Sequence, residues 1–199
     1  MSGLTFRETM SGPVALGASD PEVGAADPNA STLAIHCEIS IDDIDRFVAD
    51  REHTGSITGS VESELFGGEV PVSRGIFNLF SPGGENERLM QYRLAFEHEG
   101  KPYFLDGAKH VHDDPGFDVW KDTTTLFTHV LRGHVEVGHD AGGELVASGV
   151  LRIRVRDFAK QLTTFRAGGP SVAAQLGALV KFGWIFLGQL AQAYLRKRR

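Results

Sequence analysis

Apolar and polar side chains alternate with a period of two along most of this chain, and the pattern gives way to a long apolar run only near residue 172. Such alternation puts every second residue on one face of an extended strand. Residues 4–10 (LTFRETM) predict a first strand. Residues 32–39 (TLAIHCEI) predict a second, with Leu33, Ile35, Cys37 and Ile39 on a buried face and Thr32, Ala34, His36 and Glu38 opposite. Between residues 56 and 155 six further runs follow: SITGSVESELF, EVPVSRGIFNLF, RLMQYRLAFEHE, KPYFLDGAKHV, TTTLFTHVLRG and ELVASGVLRIRV. Gly67-Gly68, Pro82-Gly83-Gly84, Glu99-Gly100, Asp114-Pro115-Gly116 and Gly142-Gly143 punctuate them. Short strands separated by such turns predict a mainly β fold, an antiparallel β-barrel or sandwich of about eight strands. In RLMQYRLAFEHE, Met90, Tyr92, Leu94 and Phe96 face a core or cavity, opposite Leu89, Gln91, Arg93 and Ala95. Near residue 152, Leu151, Ile153 and Val155 oppose Arg152, Arg154 and Arg156.

Helical spacing is confined to a few segments. Ser40, three residues before Asp43, predicts a capped short helix over residues 41–50, with Ile41, Ile44, Phe47 and Val48 inward. Asp42, Asp43 and Asp45 then suit the positive end of its dipole. Residues 158–165 (FAKQLTTF) predict another turn or two, and residues 11–31, rich in Gly, Ala, Asp and Pro, predict a flexible loop. Ser171 precedes a run, residues 172–195, whose only charge is Lys181 and whose FGWIFLG segment is apolar around most of a helix circumference. The stretch after Lys181 is shorter than the roughly 20 residues a bilayer crossing needs. Three placements are open to this helix: against the β domain, shared within a homodimer, or lying in a membrane interface with Trp184 and Tyr194 at headgroup depth. The chain thus divides into a β domain, residues 1–168, and an apolar helix with a basic tail, residues 169–199.

Composition narrows the function classes. A length of 199 residues suits one domain plus an appendage. The net charge of -6, with a dense basic run only at residues 196–199, excludes a nucleic-acid binder. Cys37 is the sole cysteine, so neither an intrachain disulfide nor a cysteine zinc site forms. The opening MSGLTFRETM has no apolar core of secretory length, and the expectation is a cytoplasmic protein, membrane-associated if the C-terminal helix meets lipid. Neither GxGxxG, GxxxxGK[ST] nor GxSxG occurs, so no cofactor is expected and a self-contained oxidoreductase is not.

Candidate chemistry concentrates in residues 106–134. His110 and His112 alternate on one strand and project to one side, with Asp114 two further on; such a set could serve a metal or an acid/base pair, joined by Asp118, Asp122 and His129. The same residues suit hydrogen bonding around a DDPG turn. A small enzyme acting on a lipid-like substrate, a lyase, isomerase or hydrolase, is the reading these residues offer. Phe77, Phe80, Tyr92, Phe96, Trp120 and Phe127 are candidates to line an apolar ligand cavity, or else to pack a core.

FRETMSG, ISIDDIDRF, VPVSRGIFNLF, DDPGFDVWKDTTTLF and VASGVLRIRVRDFAKQLTTF together carry a resemblance. Over roughly residues 5–187 the chain resembles the accessory, non-flavin domain appended to long, multidomain cholesterol-oxidase-like GMC oxidoreductases. The flavin-binding glycines and catalytic His of those enzymes belong to other domains, so none carries over. The resemblance implies an accessory binding module for a sterol or other lipid-like ligand, or a module docking onto a separate GMC-type flavoprotein.

Overall fold

The computed structural model describes residues 1–84, 87–112, 123–133, 143–153 and 164–195, with side chains of the last helix described as far as Phe186. Eight strands follow the alternating segments: β1 (Gly3–Leu16), β2 (Ser31–Ile41), β3 (Thr54–Ser63), β4 (Gly68–Pro82), β5 (Glu87–His98), β6 (Lys101–His112), β7 (Thr125–Arg132) and β8 (Glu144–Arg152). Each pairs antiparallel with the next, and β8 returns to pair with β1, so the sheet closes into an eight-stranded barrel. Each of the eight ring strands is thereby paired with a neighbour on both sides. A three-residue strand, β9 (Arg166–Gly168), pairs with Gly3, Leu4 and Thr5 of β1 beside the ring. Glu99 and Gly100, both at positive φ (51° and 70°), make the tight reversal from β5 to β6.

The sharpest departure from expectation lies in residues 11–31. Ser11 to Leu16 continue β1 and zip to both β2 and β8, and Pro21–Ala26 form a helix, α1, capped by Asp20, whose Oδ1 accepts from the N–H groups of Glu22 and Val23 at 2.8 and 3.0 Å. Non-local pairing overrides the loop-like composition here, because these residues complete the ring. The seam is tight. A Cβ on Gly149 would lie 2.1 Å from the carbonyl oxygen of Pro13, and Pro13 has no N–H to donate.

The second helix, α2 (Ile44–Ala49), is capped by Asp43 rather than Ser40. Asp43 Oδ1 accepts from the N–H groups of Asp45 and Arg46 at 2.9 and 3.1 Å, and these bonds hold its carboxyl below the usual carboxylate range. Ser40 stays in β2 opposite Ser56. The expected turns at 158–163 lie outside the described residues. The last helix, α3 (Val172–Leu195), starts at Ser171, whose Oγ accepts from Ala174 N–H at 3.2 Å. No described helix is long and apolar enough to cross a membrane.

The two barrel ends are closed differently. At one, a single 3-10 turn (Glu64–Phe66) drives Phe66 edge-on against Phe96 and Tyr103, with ring centroids 5.0 and 5.2 Å apart. That end is solid. At the other, α3 brings Phe182 against Phe6, Phe47 and Phe165, with centroids 5.8, 6.3 and 5.7 Å apart.

Candidate functional site

Beneath α3 the barrel holds a cavity of about 280 Å³. Phe6, Glu8, Phe77, Leu79, Met90, Tyr92 and Lys109 reach it from inward-facing positions of β1, β4, β5 and β6. Leu179, Phe182, Gly183 and Phe186 of α3 close it from above. An eight-stranded ring has an interior just wide enough for side chains or one small ligand, so the hollow depends on which residues point inward.

A distortion in β4 shapes the rim. Its pairing with β5 slips between Asn78 and Ser81, and Phe80 has φ 52°, a left-handed value that is strained for an aromatic residue. His53 holds the bulge. Its Nδ1 lies 2.9 Å from the Leu79 carbonyl oxygen, and since a carbonyl only accepts, Nδ1 carries the proton. The Leu79 N–H returns a bond to the His53 carbonyl at 3.2 Å. Consecutive residues thereby both serve the cavity end: Leu79 lines it, and Phe80 packs on Phe186 at 5.6 Å between centroids.

The floor is polar. Glu8 of β1 accepts from Tyr92 Oη at 2.8 Å through one carboxylate oxygen and from Lys109 Nζ at 2.6 Å through the other. Lys109 Nζ also donates to Tyr92 Oη at 3.0 Å and stands 4.8 Å from the ring centroid. Three strands lie between β1 and β5 in either direction around the ring, so these bonds cross the interior. Glu8 and Lys109 side chains are each 2% exposed, a depth at which a charge must be paired. Burial pushes the Tyr92 hydroxyl well above its ordinary value, with the Glu8 charge and the bond to it acting the same way. Tyr92 therefore stays a proton donor. Cys37, opposite Glu8 in the β1–β2 register, is also raised, by burial first and by Glu8 second, so it remains an inert thiol.

The residues singled out by sequence are distributed over both faces of the wall. Phe77 and Tyr92 line the cavity; Phe80 is buried at its rim. Phe96 belongs to the plug at the opposite end, stacked on Tyr103. Phe127 lies on the outer wall, edge-on to His110 at 5.5 Å, and is not among the described residues that line this hollow. His110 is on the outer wall too, its Nδ1 2.6 Å from Glu87 Oε1. The reason is parity: His110 follows the inward Lys109, and neighbours on a strand face opposite ways. His129 sits outside as well, opposite Asp106, whose carboxyl burial raises while Arg93 and His129 pull it down. His112 ends β6, but its side chain lies outside the described residues, as do Asp114, Asp118, Trp120 and Asp122. Among the described residues no group of three or more His, Cys, Asp or Glu is arranged to hold a metal. Glu8 and Lys109 went unnoticed, although each breaks an apolar face: Glu8 among Leu4, Phe6 and Met10, Lys109 between Leu105 and Val111.

Comparison of the chain with family models, with curated proteins and with solved structures gives no match. What defines the site is its own geometry: an apolar hollow in a closed barrel, with an ion pair and a tyrosine as its floor.

The floor has a measurable signature. Lys109→Met deprives buried Glu8 of this cation and is expected to cost about 3–5 kcal/mol in urea unfolding. Replacing the whole set at once, Glu8→Leu with Tyr92→Phe and Lys109→Met, is expected to recover most of that loss. Equal stability of the single variant and the wild type would mean the bonds are not formed in solution.

Proposed function

We propose that this chain is a binding module for a lipid-like ligand, whose apolar body lies among Phe6, Phe77, Met90, Phe182 and Phe186. The observation that carries the proposal is the hollow itself, walled mostly by apolar side chains, with Glu8, Tyr92 and Lys109 gathered on its floor and Thr123 also on its lining. That is the usual make-up of a small-molecule site. Its volume of about 280 Å³ lies near the lower bound of small-molecule pockets. This suits a medium-length acyl chain or a single ring system. The resemblance in sequence supports an accessory role beside GMC-type sterol oxidoreductases. Chemistry at His110 is not part of the proposal, since that side chain faces away from the hollow.

Uptake of N-phenyl-1-naphthylamine, a neutral apolar fluorophore, tests the reading. Saturable enhancement at about one probe per chain is expected, and Met90→Trp, which fills the hollow, should abolish it. Unsaturable enhancement, or enhancement indifferent to Met90→Trp, would contradict the proposal.

A second observation supports membrane contact. Along α3, Val172, Leu176, Val180 and Trp184 are exposed at intervals of four, on the side away from Phe182, and Trp184 is 75% exposed. In sequence the helix is followed by Arg196, Lys197, Arg198 and Arg199, a basic set suited to anionic lipid. We propose that this face touches an anionic bilayer, from which a ligand would pass under the helix that closes the cavity. Sedimentation with phosphatidylserine-containing vesicles should capture the wild type, and Leu176→Ser with Trp184→Ser should bind roughly tenfold more weakly. Identical sedimentation of the two would exclude contact through this face.

A further inference from the structure

We infer that the ligand is neutral and ends in one hydrogen-bond-accepting oxygen, a ketone or an alcohol, seated on Lys109 Nζ. The inference rests on the reading above that the hollow binds an apolar molecule, and it specifies the end of that molecule.

Lys109 brings three N–H donors into the barrel. Two are used, on Glu8 Oε1 at 2.6 Å and Tyr92 Oη at 3.0 Å, and among the described residues no further acceptor meets the third. The ammonium is buried and borders the cavity, so an oxygen arriving from the hollow is the partner within reach. A hydrocarbon would leave that donor dry, which a desolvated charged group tolerates poorly. A carboxylate would meet the donor but would share Nζ with the carboxylate of Glu8, placing two anions side by side in an apolar, weakly screening space. A neutral oxygen avoids both penalties. Tyr92 reinforces the choice, because its proton is already committed to Glu8 at 2.8 Å and its oxygen already accepts from Lys109. The floor therefore offers one open donor, which suits one oxygen.

Displacement of N-phenyl-1-naphthylamine by nonane, nonan-2-one and nonanoate tests this, with the wild type compared against the triple variant Glu8→Leu, Tyr92→Phe, Lys109→Met. Using the ratio of affinities within each protein cancels the different water solubilities of the three molecules. The ketone-to-hydrocarbon ratio is expected to be about tenfold greater in the wild type, as for one bond from a charged donor. The carboxylate should gain no such advantage. The infrared carbonyl stretch of bound nonan-2-one should fall to lower wavenumber in the wild type, a readout that stands even if the triple variant does not fold. Equal ratios in the two proteins with an unshifted stretch would overturn the inference while leaving the apolar site intact. Preferred binding of nonanoate by the wild type would also overturn it. Failure of all three molecules to displace the probe would instead overturn the underlying reading.

Discussion

A buried ion pair that crosses the barrel is the constraint on which the rest of the interior depends. Glu8 reaches from β1 to Lys109 on β6 and Tyr92 on β5, three groups that share bonds of 2.6 to 3.0 Å. Taking two charges out of water is expensive, and only mutual pairing with good geometry offsets it. The brace therefore has little freedom to shift. It divides the interior into two unlike halves. Below it, Leu94, Leu105, Phe66 and Phe96 belong to the packed core; above it, the bonds tie the polar groups down and leave apolar walls around open space.

The upper half is finished by devices of local structure. The left-handed Phe80 would be costly in an ordinary strand, but His53 secures the bulge from both sides with a pair of bonds to Leu79. Phe80 is then turned toward α3, where it meets Phe186. The helix is amphipathic in an unusual sense, since Phe182 is buried in the barrel mouth while Trp184 on the other side is largely bare. One element thus both roofs the cavity and presents an apolar face outward. Such a patch on a surface helix usually marks contact with another apolar phase or partner.

How much of this was legible in the sequence follows from what each signal depends on. The strands were readable because alternation is a local consequence of one face being buried, as in Leu33, Ile35, Cys37 and Ile39. The continuation of β1 through residues 11–16 was not, because Gly12 and Pro13 carry a turn-like composition and become strand only when β2 and β8 flank them. Tyr92 was readable as an inward aromatic from the alternation of its strand. The histidine and aspartate cluster drew attention by density, yet density does not report which face of a wall a residue occupies. Lys109, next to His110, had the opposite parity and the greater consequence. Glu8 and Lys109 each place a charge on an apolar face, a local signal that was passed over, and that they meet is a property of ring closure, which residues 101 positions apart in the chain do not announce.

The central claim is that the space above the brace is open and, away from the Lys109 ammonium, dry. Crystals of the protein pressurised with xenon measure this most directly, since a hollow lined by apolar groups stays empty of water and accepts a noble-gas atom. The account predicts a xenon peak enclosed by Phe6, Phe77, Met90 and Phe182, with Glu8, Tyr92 and Lys109 still joined beneath it. A chain of ordered waters in that space, or side chains collapsed into it so that no gas enters, would contradict it.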